Sequence, residues 1–200
     1  MAYHHGTLPE ALLAAVEEVV NETGLEGLTL RAVARRAGVS HGAPAHHFGD
    51  KKGLLTAFAI VGAAHLERAV EDSLAPIDES AHAARLTAVG MGYVSFALAY
   101  PAHFRVSFRP EYVDLNNPEL LQARAGAAGT LDRVLHTAQS GGVLSPEDFL
   151  GARFASWSMA HGYASLAVDG ALGIEHQSDI LAVAKTAFDA FTHSLFEVTA

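Results

Sequence analysis

The chain has 200 residues, half of them hydrophobic and only 18% charged, which is ample material for a buried core and excludes a disordered polymer. It contains no cysteine, so disulfides and thiolate-held metals are excluded, and a reducing compartment, the cytoplasm, is the expected location. The net charge of −9 argues at first against a nucleic-acid partner, yet between Thr29 and Lys52 the basic residues Arg31, Arg35, Arg36, Lys51 and Lys52 stand against Asp50 alone.

The start, "MAYHHGTLPE", has no apolar run and reads as no secretory signal. Thr7 and Glu10 form a capping box around Pro9, and Leu8, Leu12, Ala15, Val16 and Val19 then recur at helical spacing. Gly24 is the expected stop. Thr29 is the N-cap for a second helix, "LRAVARRA", which ends at Gly38. Ser40 is the expected cap of a third short helix reaching Phe48, although Pro44 restrains Ala43 and moves the true start to near Ala43. Gly49 and Asp50 open a fourth helix, with Leu55, Phe58, Gly62, His65, Leu66 and Ala69 on one stripe.

Pro76 is the next strong break. The uncharged stretch from Leu86 to Phe104 approaches the ~20 residues of a membrane span. It contains Thr87, Gly90, Gly92, Ser95 and Pro101, so we read buried helix and expect no membrane partner. Further helices are expected at about 80–100, 101–108, 117–140, 146–170 and 177–197, with "RPEYVDLNNPE" as a loop. No period-2 alternation is sustained, so the fold class is all-α with about nine helices. A helix-turn-helix domain is expected over residues 5–65 and an effector-binding and dimerisation domain over 66–200.

Two short helices joined at Gly38 give the helix-turn-helix pattern, in which the second helix enters the major groove of DNA. The words around it, "TLRAVARRAGVSHGAPAHHFGDKKGLLTAF", resemble the DNA-binding domain of the TetR family of transcription regulators. "YHHGTL", "YPAHFRVSF" and "ASWSMAHGYASL" are similar to the branch with a Trp-His-Gly motif in the C-terminal domain. The resemblance implies a homodimer on a palindromic double-stranded operator, acting as a repressor that a small apolar or amphipathic ligand releases. It further implies that Thr29, Ser40, His47 and Lys51 clamp phosphates, and that Arg31 reaches a base. Ala45 occupies a slot where the family usually has Tyr.

By residue chemistry, the candidates for reading base edges are Arg31, His41, Ala43 and His46. Arg is suited to guanine, and Ala43 with Pro44 to a thymine methyl. Adjacent helical histidines point about 100° apart, so His46 and His47 are not read as metal ligands, and no metal or cofactor is expected.

In the second half, Met91, Tyr93, Phe96, His103, Phe104, Phe108, Phe154, Trp157 and His161 supply an apolar lining with a few polar handles, the make-up of an effector pocket. The last two helices carry apolar stripes, and by the resemblance Phe149, Ala164, Ile180, Ala184, Phe188, Phe191 and Leu195 meet a second copy. The alternative is a helical bundle that binds a small molecule, or an enzyme using His161, without specific DNA binding. No Glu-x-x-His pairing stands out in its favour, and no enzyme activity is expected. A nonspecific DNA-coating protein is a third class.

Overall fold

The structure is a computed structural model that describes residues 7–197. His4, His5 and the expected domain start at residue 5 lie outside the described residues, as do residues 198–200. Among the described residues all regular structure is helical. The helices are α1 (Leu8–Gly27), α2 (Leu30–Arg36), α3 (Ala43–Phe48), α4 (Lys51–Leu74), α5 (His82–Ala99), α6 (Pro101–Ser107), α7 (Pro118–Ser140), α8 (Phe149–Val168) and α9 (Gln177–Glu197).

The chain divides into two compact units. The first comprises the described residues up to Ala63 together with Pro101–Ala123. Its first helix opens on the capping box, where the Thr7 N–H donates to Glu10 Oε2 at 2.8 Å. Gly24 takes non-helical angles inside α1, so the expected stop is a bend followed by one more turn. Leu12, Val16 and Val20 of α1 pack with Leu28, Val33, Leu54, Leu55 and Phe58, all at most 1% exposed. Each such side chain stabilises the fold by about 1.5–3 kcal/mol relative to leaving it in water. Ala102, Val106, Val113 and Leu120 complete this core, which is why the 101–123 segment belongs to it.

The second unit holds Ala64–Tyr100 and the described residues from Arg124 onward. α5 is its central helix, buried along most of its length and packed on α8 and α9. Val70, Leu74, Leu86, Val134, Leu135 and Ala138 form the core, and Thr87 and Thr192 share a buried hydrogen bond at 3.2 Å. On its outer side Glu71 accepts from Thr130 Oγ1 at 2.7 Å and from Arg133 at 2.5 Å.

The uncharged stretch Leu86–Phe104 is not one helix, because α5 ends at Ala99, Tyr100 is its non-helical C-cap and α6 begins at Pro101. Among the described residues only α4 is long and apolar enough to cross a membrane by length and composition. Its apolar residues are used otherwise. Leu54, Leu55 and Phe58 lie in the first core, and Val70 and Leu74 in the second.

Candidate nucleic-acid interface

The two short helices are fixed by local chemistry. Thr29 Oγ1 accepts the Ala32 N–H at 3.1 Å and caps α2, while Val33 and Ala34, both fully buried, anchor that helix in the first core. Gly38 adopts φ 69°, a left-handed angle that an L side chain resists, and lets the Val39 N–H return to the Ala34 carbonyl at 3.0 Å. α3 then begins at Ala43 with Gly42 as N-cap, and Pro44 sits in the first turn, where its missing N–H is not needed. The His46 N–H closes that turn on the Gly42 carbonyl at 2.9 Å.

Two expectations need correction here. Ser40 is not the cap of α3: its carbonyl accepts the Ala43 N–H at 3.0 Å, and the residue is exposed two positions before Gly42. Pro44 is buried and Ala43 half-buried, so the apolar pair does not stand out toward a thymine methyl. The turn residues place Pro44 against the core because the helix starts later than a serine cap would have set it.

Arg31, His41, Ala45, His46 and His47 are exposed, and so is the capping residue Thr29. The His46 and His47 rings lie edge-on at 5.4 Å, and no group of three His, Asp or Glu side chains able to hold a metal occurs among the described residues. Arg36 is withdrawn from the basic set, since it bridges to Glu18 at 2.8 Å and also to Glu22 on α1. That contact holds the Glu22 carboxyl below the usual carboxylate range. Arg35 and Lys52 remain exposed. Lys51 is half-buried, with Nζ donating to the Leu25 carbonyl at 3.3 Å and lying 5.3 Å from the Tyr112 ring centroid.

The nine expected pocket residues divide between the units. His103, Phe104 and Phe108 belong to the first, where His103 stacks on Phe58 at 3.7 Å and donates from Nδ1 to the Phe58 carbonyl at 3.1 Å. In the second unit, Tyr93 of α5 and His161 of α8 meet at 2.9 Å between Oη and Nδ1. Burial pushes the Tyr93 phenol up, opposed by the Trp157 indole N–H and the Arg124 charge, and burial also pushes His161 down. The pair forms one hydrogen bond whose donor is set by the imidazole tautomer. Trp157 and Phe154 continue outward as a row, with centroids 6.4 Å apart at each step from His161, and they are 44% and 51% exposed. Phe96 is buried and Met91 half-buried on α5.

The expected dimer residues also need correction. Ala164, Ile180, Ala184 and Phe188 are 0%, 8%, 0% and 2% exposed within the single chain, so they have no surface left for a second copy. Their stripes are spent on the α5–α8–α9 packing, with Phe188 lying against Gly90. Phe149, Phe191 and Leu195 are half-buried on the second core. The large apolar residues left in water on α8 and α9 include Leu150 (65%), Leu166 (48%) and Val183 (47%).

Residues 12–58 match the family model described as bacterial regulatory proteins, tetR family. Residues 86–191, more than half of the chain, match the tetracyclin repressor-like C-terminal domain. The chain belongs to the TetR family. The HTH-type transcriptional regulator BetI of Serratia proteamaculans is 40% identical over 83 residues, which is 42% of this chain and 42% of that protein. The match thus spans about two fifths of the curated relative's length.

Among solved structures, a Rhodococcus sp. RHA1 protein of unknown function is 32% identical over 95% of this chain and 97% of its own, with a TM-score of 0.76. The fatty acid degradation regulator FadR of Bacillus halodurans shares the fold at 15% identity, covering 95% of this chain and 96% of its own, with a TM-score of 0.74. A TetR variant from Acinetobacter baumannii, solved in complex with minocycline, shares it at 23% identity over 94% and 96%, with a TM-score of 0.65. TetR-family members are DNA-binding transcription factors rather than enzymes.

Within the TetR frame, Arg35 and Lys52 were visible in the sequence as members of the basic cluster without a role of their own, whereas Tyr112 and Arg124 carried no local signal. Arg124 is half-buried and couples electrostatically to Tyr93, a pairing 31 positions apart that no local pattern announces.

Proposed function

We propose that this TetR-family chain is a homodimeric, sequence-specific regulator in the cytoplasm that reads a palindromic operator and acts as a repressor. A small apolar or amphipathic effector releases it. The observation that carries the reading is the capped α2–Gly38–α3 unit, which leaves Arg31, Arg35, His41, His46, His47 and Lys52 exposed while Arg36 is neutralised on α1. In this reading Arg31, His41 and His46 meet base edges, with Ala43 close behind. Thr29, Ser40, His47 and Lys51 meet phosphates, joined by Arg35 and Lys52. With Ala45 in place of a tyrosine, cations and histidines carry the contact.

For the effector, the row Phe154–Trp157 ends on the Tyr93–His161 pair beside Arg124, an apolar wall closed by polar groups. Trp157, His161 and Gly162 fall within two turns of α8, which supports the branch with the Trp-His-Gly motif. For the dimer, Ala155, Gly162 and Leu166 recur at seven and four positions on α8, and Val183, Thr186 and Ala190 at three and four on α9. These faces pair with the same faces of a second copy, as a two-fold operator requires.

Selection of preferred duplexes from random DNA, with and without a panel of apolar and amphipathic compounds, tests the reading. A single enriched palindrome, lost with one compound class, is the expected result. No enrichment would instead leave the helical bundle that binds a small molecule without specific DNA recognition.

A further inference from the structure

Lys51 opens α4, but its side chain does not lie freely in water. Nζ donates to the Leu25 carbonyl at 3.3 Å, in the single turn that follows the bend at Gly24. Its charge also lies over the Tyr112 ring, 5.3 Å from the centroid. Tyr112 comes from the connector between α6 and α7, far from the helix-turn-helix in sequence.

That connector is itself held on α4. The Asp114 N–H donates to Thr56 Oγ1 at 2.9 Å, Val113 is fully buried, and the Tyr112 N–H returns to the Arg109 carbonyl at 2.9 Å. The ring position is therefore set by contacts that do not involve Lys51. An ammonium has three donors, and the Leu25 carbonyl uses one. A free lysine loses most of its rotamer freedom when it clamps a phosphate, whereas a held lysine has lost it already on folding.

We propose that Tyr112 is a positioning residue for DNA binding: with the Leu25 carbonyl it holds the Lys51 ammonium at the start of α4, ready for an operator phosphate. This rests on the reading of α2 to α4 as the DNA face. It adds that part of that face is built by the α6–α7 connector.

The test measures Kd against salt for the full-length wild type and for Lys51→Ala, Tyr112→Phe, Tyr112→Leu and the Lys51→Ala/Tyr112→Leu double variant. The probe is the duplex that wild type recovers from random DNA, and thermal unfolding is recorded alongside. Lys51→Ala is expected to lower the salt slope by about 1. Tyr112→Phe keeps the ring and should bind as wild type. Tyr112→Leu should bind roughly three- to tenfold more weakly, and this loss should vanish in the Lys51→Ala background. Tyr112→Met replaces Tyr112→Leu if the latter melts early. An equal loss in both backgrounds, or none, would make Tyr112 a purely structural residue and overturn the proposal. An unchanged slope for Lys51→Ala would show that Lys51 meets no phosphate and overturn the proposal, whereas a wild type that recovers no preferred duplex would overturn the DNA-face reading itself.

Discussion

Single side chains separate the reading of bases from the holding of the backbone. Arg31 is exposed on α2, and an arginine that reaches guanine forms a paired hydrogen bond that no other base offers. Arg31→Ala should therefore cost about 1–3 kcal/mol and relax preference at one base pair of the selected operator. A uniform loss at all positions would show that Arg31 touches only phosphate. His161 is a different case, a histidine that burial pushes below its ordinary value and that hydrogen-bonds to Tyr93. Its folded-state value lies below the ordinary one of about 6.5, so the unfolded chain takes the proton first. That contribution to stability is whole above the ordinary value and fades as pH falls through it toward the lowered one. Melting curves from pH 8 to 5 should show wild type losing more than His161→Gln, whose amide can still hydrogen-bond to Tyr93 but does not titrate. Parallel pH profiles would remove His161 from the account.

At the scale of elements, the fold depends on how closely helices approach and where they start. Gly92 of α5 lies against α4, and a Cβ there would meet Val70 Cα at 2.6 Å and the Ala69 carbonyl oxygen at 2.7 Å. Backbone cannot give way as a side chain tip can, so Gly92→Ala should destabilise by about 1–3 kcal/mol in denaturant titrations. Gly129→Ala, in α7 with open space around it, should instead gain up to about 1 kcal/mol of helix propensity. Pro44 shows the same dependence on position. In the first turn of α3 it removes no ladder hydrogen bond, whereas a proline in a helix interior costs about 3 kcal/mol or more.

For the whole molecule, the distribution of charge and of exposed apolar surface matters more than either total. The chain carries net charge −9, yet Arg31, Arg35 and Lys52 are exposed within the helix-turn-helix stretch. Operator affinity should then fall steeply with salt, despite the acidic sum. Leu166 and Val183 are about half exposed on the two C-terminal helices, away from the buried stripes of Ala164 and Phe188. We expect wild type to sediment at twice the chain mass of 21.0 kDa. Leu166→Glu with Val183→Glu should sediment at the single mass and lose operator affinity by more than tenfold, since one reading head replaces two. A double variant that remains dimeric would move the interface elsewhere.

What the residues alone carried was local: the capping box at Thr7, the Thr29 cap, the turn at Gly38 and the start of α3 at Ala43 all depend on neighbours within a few positions. These signals were enough for the all-helical class, the helix-turn-helix and the family. The tertiary structure decided which face of each apolar stripe is buried. Periodicity marks a stripe without saying what covers it, so Ile180, Ala184 and Phe188 read equally well as interface or as core, and packing on α5 made them core. It also decided which cations remain available, because the partners of Arg36 and Lys51 lie on α1 and on a connector distant in sequence. Opposite charges and ring faces attract through space, and only the folded chain shows which of them meet.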